Sequence, residues 1–377
     1  MQLLQTTKAD GSDSSRRKFA GSKISKVRWT NDTDENVDTF LTGSWNCPEN
    51  TIVLWQIRRE IPVDEDNLLN SAVFVKKVAL PVHGDVNDLC VIPNKKAAAA
   101  LGNGEVVLLD ISSKSHLTEL NSYKATEKGH AATTVCVLDD IMFVGTEAGA
   151  IMRVSLTNFF KPGFLAKELT TVRCMKSCGP AQFVTGHDTS QLHLWDLRTI
   201  DPALILNGTG TAYPTSIRAA SSFNDAITAL ASHPAEPNLL AYGTQSGSVG
   251  FFDIRRPESQ MPNMLTVATD PINELKFHPI YANNCFSATQ NALIHWDASA
   301  LGKYTTRVLT NSMMETDNLE GFRENPWLMA NVYSSIQLTE MLEDDLKFIS
   351  TFDVSPRAII VGSDSSTLAL IENTKFM

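Results

Sequence analysis

Apolar residues along this chain fall mostly into short alternating runs, broken by clusters of glycine, serine, asparagine, aspartate and threonine. Period-two alternation between turn-forming clusters is the pattern of β-strands, and no repeat carries a convincing helical period. One unit recurs. Its clearest copies are 183–197 (FVTGHDTSQLHLWDL), 240–254 (LAYGTQSGSVGFFDI) and 285–298 (CFSATQNALIHWDA). Each is an apolar run, four to six turn residues, then alternating apolar positions ending in an aromatic and an aspartate, which predicts a β-hairpin. Weaker copies lie at 40–57, 99–111, 142–156 and 359–372.

The bulky residue near the end of each second run serves as a ruler: Trp55, Leu109, Val154, Trp195, Phe252, Trp296 and Ile371. Successive spacings of 54, 45, 41, 57, 44 and 75 imply seven copies of a unit of ~40–45 residues, with the longer gaps taken up by loops. Upstream of the hairpins are further short apolar stretches closed by proline, at 86–93, 226–234, 272–279 and 348–356, and proline marks where a strand must stop. A stretch such as 71–80 leaves room for a fourth strand. Four strands per unit and seven units predict an all-β fold, a seven-bladed β-propeller, because twisted sheets packed around an axis bury faces that one sheet leaves open. Ala229, Ala231, Cys90, Cys136 and Cys174 suit the crowded centre, and Cys174 is expected to fall where Cys90 and Cys136 do. Too little chain follows Ile371 for another strand, so residues around Arg17–Ala20 are expected to complete the last blade. That divides the chain into a disordered tail, 1–15, and a single propeller, 16–377.

Three insertions interrupt the period: 58–70, 199–224 and 300–347. The last, between blades six and seven, is acidic, with Glu315, Asp317, Glu320, Glu324, Glu340, Glu343, Asp344 and Asp345 against Arg323 and Lys347. Its part 327–346 reads as a helix. A loop of this length is either a binding element or a solvated excursion. The net charge of −10 argues against a protein that grips nucleic acid or an anionic membrane, and points to protein partners. Six scattered cysteines, no apolar leader behind Met1 and no run of ~18 apolar residues fit reduced thiols and no membrane insertion.

No catalytic set emerges, and neither a cofactor nor a metal is expected. Cys174 and Cys178 have no second pair at zinc-binding spacing. His233 and His278 end first strands in matching His-Pro pairs and read as strand caps. His187 and His193 flank one turn, and alternation is not expected to bring them together with a third ligand. The glycine pairs Gly102/Gly104 and Gly208/Gly210 lack what a phosphate cradle needs. The basic residues before Lys26 read as a solvated arm. One pattern points outward: Trp195-Asp196-Leu197-Arg198 and Phe252-Asp253-Ile254-Arg255 place an arginine beyond the third strand of consecutive blades, where Arg198 and Arg255 either clamp a partner's carboxylates or pair with acids nearby.

The Trp-Asp endings at Trp195-Asp196 and Trp296-Asp297, with His83-Gly84 and Gly129-His130 in the connecting slots, resemble WD40 repeats; Gln56 after Trp55, and Leu109, Val154 and Ile371 in place of tryptophan, depart from them. The order of KISKVRW at 23–29, TGSW at 42–45, HGDVNDL at 83–89, QLHLWDLR at 191–198 and IHWDAS at 294–299 is similar to the forty-three-kilodalton WD-repeat nucleoporin family. The resemblance implies a non-catalytic scaffold subunit of the nuclear pore. It would sit on the short arm of the Y-shaped outer-ring complex, bound to α-solenoid nucleoporins and other outer-ring subunits as a monomeric propeller within a hetero-oligomer. It implies a place at the nuclear envelope and, in dividing animal cells, at kinetochores. The alternative is a substrate receptor of a cullin-RING ubiquitin ligase, because the Trp-Asp-x-Arg pattern resembles the signature by which such propellers hold their adaptor. A propeller enzyme is disfavoured.

Overall fold

The computed structural model describes residues 7–8, 16–59, 72–126, 129–157, 163–198, 214–218, 225–255, 264–300, 325–329, 332–342, 346 and 348–372. They form seven antiparallel sheets of a seven-bladed β-propeller, each with its first strand innermost. Blade four shows the pattern: Val172–Cys178, Gln182–His187, Gln191–Asp196 and Thr215–Arg218 pair in order. All seven ruler residues are buried and sit opposite the second residue of their blade's second strand, as in Phe40↔Trp55, Phe183↔Trp195 and Ile359↔Ile371. Rings stack between blades and within them: Phe143 and Phe183, of blades three and four, lie 4.5 Å apart, and Phe183 and Trp195, both of blade four, 5.9 Å.

Blades join through a repeated contact. In five of them the second strand carries a glycine (Gly43, Gly145, Gly186, Gly243, Gly362), against which lies the Val or Ile that opens the next blade. A Cβ on Gly243 would stand 2.5 Å from Ile272, so only glycine admits that approach. Six first strands then shift register by one residue, as between Val86 and Asp88. Such a bulge re-aims the extra side chain. In four of the six it reaches the next blade's opening carbonyl: Asn87 to Ala132 (2.9 Å), Thr133 to Val172 (2.5 Å), Thr228 to Ile272 (2.7 Å), and Ser350 to Ile24 across the seam. Asn273, at the matching place in blade six, donates to the Ile349 carbonyl at 2.7 Å.

Arg16–Phe19 pairs antiparallel with Thr367–Leu370, so the last blade takes its outer strand from the N-terminal end of the chain. Within 1–15, Thr7–Lys8 adds a short parallel strand to blade six; the rest of that segment lies outside the described residues. The helix expected over 327–346 is not what forms. Its described residues hold a 3-10 turn, Pro326–Leu328, one helical turn, Val332–Ser335, and blade six's outer strand, Gln337–Glu340. Leu338 lies directly across from Trp296, and covering that tryptophan prevails over local helical period. The acidic residues between 301 and 324 lie outside the described residues. The thiol alignment is also corrected. Cys90 and Cys136 pair with Ala98 and Phe143, but the matching place in blade four is held by Lys176, with Cys174 two residues earlier opposite Gly186.

Two outcomes test this architecture. Trp195→Ala removes a fully buried indole and is expected to cost about 3–5 kcal/mol in denaturant unfolding. Deleting 1–22, which removes the seam strand, is expected to lower Tm by roughly 5 °C or more, whereas deleting 1–12 shifts it little; equal shifts would show that Arg16–Phe19 does not hold the ring shut.

Candidate functional site

One face of the ring is set apart by how its loops are held. The residue two places past the ruler residue donates its N–H to the loop between first and second strands in six blades: Ile57 to Asp38, Ile111 to Lys95, Leu156 to Asp140, Leu197 to Ala181, Ile254 to Asn238 and Ala298 to Asn283. First-to-second loops and third-to-fourth connections therefore share this face. The sequence insertions after residues 57, 198 and 300 all leave from it, as does the connection after Arg255. Blades four, five and six lie side by side, so three of these connections adjoin.

Arg198 and Arg255 also lie on this face in adjacent blades. Each folds back onto the aspartate two residues before it. Asp196 accepts from the Arg198 backbone N–H (3.0 Å), Nε (2.9 Å) and Nη2 (2.5 Å), and from Gln182 Nε2 (2.9 Å). The Arg198 hydrogen bonds pull the Asp196 carboxyl down to about 2. Asp253 is bonded the same way by Arg255 and is itself buried. Both arginines are 61% exposed, so each presents a neutralised Arg-Asp unit to solvent.

The far end of the long insertion is fastened to this face. Trp327 is buried, stacks on Phe251 at 4.6 Å, meets Phe277 edge-on at 5.6 Å, and donates Nε1 to the Ala282 carbonyl at 3.0 Å. Asn325 caps the turn through Trp327 N and donates to Glu236 Oε1 at 2.7 Å. Nearby, His233 Nδ1 accepts from Glu236 N, and His278 Nδ1 from Tyr281 N, so both histidines hold the turns after their strands.

Inside the ring is a charged cluster that the sequence reading missed. Arg28 of blade one donates to Glu274 of blade six at 2.8 Å, with Lys26 at 3.3 Å from the same carboxylate; Thr351 of the intervening blade seven donates to it at 2.9 Å. Asp353 accepts from Lys276 (2.5 Å) and from Trp29 N (2.8 Å), and Asp88 lies 3.7 Å from Arg28. Three cations balance three carboxylates. Burial opposes the charge on Arg28, but Glu274, Asp353 and Asp88 outweigh it and hold the guanidinium more firmly protonated. Burial likewise opposes ionisation of Glu274, and Arg28, Lys26 and Lys276 prevail, pulling it down to about 2. The available signal was the charges recurring at alternate positions of first strands, in ISKVRW, INELKF and FISTFDV, where buried strands should be apolar.

On the opposite face the expectation for the two histidines is overturned. Thr185 pairs directly with His193, and His187 lies two residues along from Thr185, so alternation places both imidazoles on one side of the sheet. Their ring centroids are 4.5 Å apart. A third group, Glu168, arrives from the connection between blades three and four, its Oε1 2.9 Å from His193 Nδ1. Nothing near Glu168 in sequence marked it; only the adjacency of blades does. Burial, then His193, lowers His187 to about 4.

With this geometry established, likeness to known proteins becomes informative. Residues 136–324, half of the chain, match the β-propeller of the nucleolar protein 10-like N-terminal domain. The chain belongs to this family of β-propellers. It is also 25% identical to nucleoporin Nup43 of Homo sapiens, over 93% of this chain and 96% of that protein, and 24% identical to nucleoporin Nup43 of Mus musculus over the same shares. It is thus a WD40-type propeller similar to Nup43 almost from end to end.

Glu274 carries a pH signature. Its folded pKa lies below the usual 4.5, so the stability it contributes is full above 4.5 and is lost as pH falls toward about 2. Glu274→Gln is expected to cost about 3–5 kcal/mol at neutral pH by stranding buried Arg28, and to flatten the acid limb of the stability curve in that window. An unchanged acid limb in urea titrations at stepped pH would show that this carboxylate does not govern it.

Proposed function

We propose that this chain is a non-catalytic scaffold subunit of the nuclear pore complex, serving pore assembly and nucleocytoplasmic transport. The observation that carries the reading is the end-to-end similarity to nucleoporin Nup43, since a likeness confined to one or two repeats would speak only to the fold. Its place is the short arm of the Y-shaped outer-ring complex, and its partners are α-solenoid nucleoporins and other outer-ring subunits. The docking surface is the face that carries the third-to-fourth connections of blades four to six, with Arg198, Asp196, Arg255 and Asp253 within it. A specific contact there requires roughly 1,600 Å² of buried surface. The two Arg-Asp units, alike in adjacent blades, also support a second reading, a receptor for the adaptor of a cullin-RING ubiquitin ligase.

Affinity purification of the tagged full chain from its native cells tests both readings. Outer-ring nucleoporins are the expected catch; a cullin and its adaptor without nucleoporins would replace the first reading by the second. Substituting Arg198 and Arg255 together by alanine is expected to lower nucleoporin recovery by about tenfold, the effect of losing ~1.4 kcal/mol at an interface. Undiminished recovery would move docking away from blades four and five.

A further inference from the structure

Glu168, His187 and His193 reach one point from three segments: a connection between blades, the end of a second strand and the middle of a third. One donor atom from each lies within 4.8 Å of the other two. We propose that these three residues form a binding site for a divalent transition-metal ion, and that zinc is the ion the donor set fits. Two imidazole nitrogens and one carboxylate oxygen are zinc ligands, bound at about 2.0–2.2 Å, with a water or a fourth side chain completing a tetrahedron. Donors on such an ion stand roughly 3.3 Å apart, so closing the site asks only for small side-chain rotations.

The surroundings are those a metal site requires. His187 is buried, 4.5 Å from His193 between ring centroids. Its Nε2 lies 2.8 Å from Thr185 Oγ1, which accepts from Trp195 Nε1 at 3.0 Å, so an outer layer of hydrogen bonds fixes the ring. Its Nδ1 meets Thr170 Oγ1 at 3.4 Å, the long limit of a hydrogen bond. His193 Nε2 has Gln191 Oε1 at 3.4 Å, an acceptor for the N–H of that nitrogen when Nδ1 faces the ion. The Glu168 carboxylate supplies negative charge beside the ion. The bound ion ties the connection after blade three to the hairpin of blade four and fixes Leu169, fully exposed beside Glu168. None of these residues lies on the face assigned to partner docking, so the site stands or falls apart from the pore reading.

Isothermal titration of the chelator-treated full chain with zinc chloride tests it. One ion per chain at micromolar or tighter Kd is expected, with magnesium not competing. Glu168→Gln, nearly isosteric, and His193→Gln are each expected to weaken zinc binding by about tenfold or more while circular dichroism stays unchanged. Cobalt substitution should give a visible spectrum without a thiolate charge-transfer band. Absence of stoichiometric binding, binding that survives both substitutions, or a thiolate band placing the ion on cysteines would each overturn the proposal.

Discussion

The structure rests on the contact between neighbouring blades, where a β-branched side chain opens one sheet and lies on a glycine in the sheet before it. Ile272 on Gly243 and Ile24 on Gly362 are the same joint, the second formed between the two ends of the chain. Because interiors are packed as densely as organic crystals, such a joint fixes both the distance and the angle between sheets. The bulge that follows turns a polar side chain toward the next opening carbonyl, so the contacts of Val172, Ile272 and Ile24 are each locked by a hydrogen bond to the same residue. Repeated around the axis, one local geometry yields a closed ring.

A ring has a seam, and here the seam is closed at two radii. Outside, Arg16–Phe19 supplies the missing strand. Inside, Glu274 and Arg28 reach past blade seven to join blades six and one, while Asp353 of blade seven accepts from the Trp29 backbone. Burying Arg28, Glu274 and Asp353 is costly, and they are tolerated because each is met by an opposite charge, with half-buried Lys26, Lys276 and Asp88 around them. The central charges thus serve closure, and the two faces remain for function.

The faces differ in kind. One carries the long connections, the exposed Arg-Asp units and the loop end fastened by Trp327; the other carries the tight turns and the Glu168, His187 and His193 cluster. A closed ring that carries its long connections on one side offers a partner loops to grip while the sheets stay packed, which suits a scaffold subunit. The neutralised arginines fit that use, since a charge already paired costs less to bury against a partner than a free one.

Much of this was legible in the chain alone. Alternation and turn residues are local properties, so the hairpins, the blade number, the ruler residues from Trp55 to Ile371 and the need for a strand from the N-terminal end could be read from residue order. Contacts between blades could not, because they join residues far apart in sequence. Glu168 meets His193 only because blade three stands beside blade four, Arg28 meets Glu274 only because the ring closes, and Gln337–Glu340 is a strand only because Trp296 needs a cover. Residue order specifies the repeat and its period, which depend on neighbours along the backbone. Which charges, imidazoles and loops share a surface follows from folding alone, because it depends on how seven sheets pack around one axis.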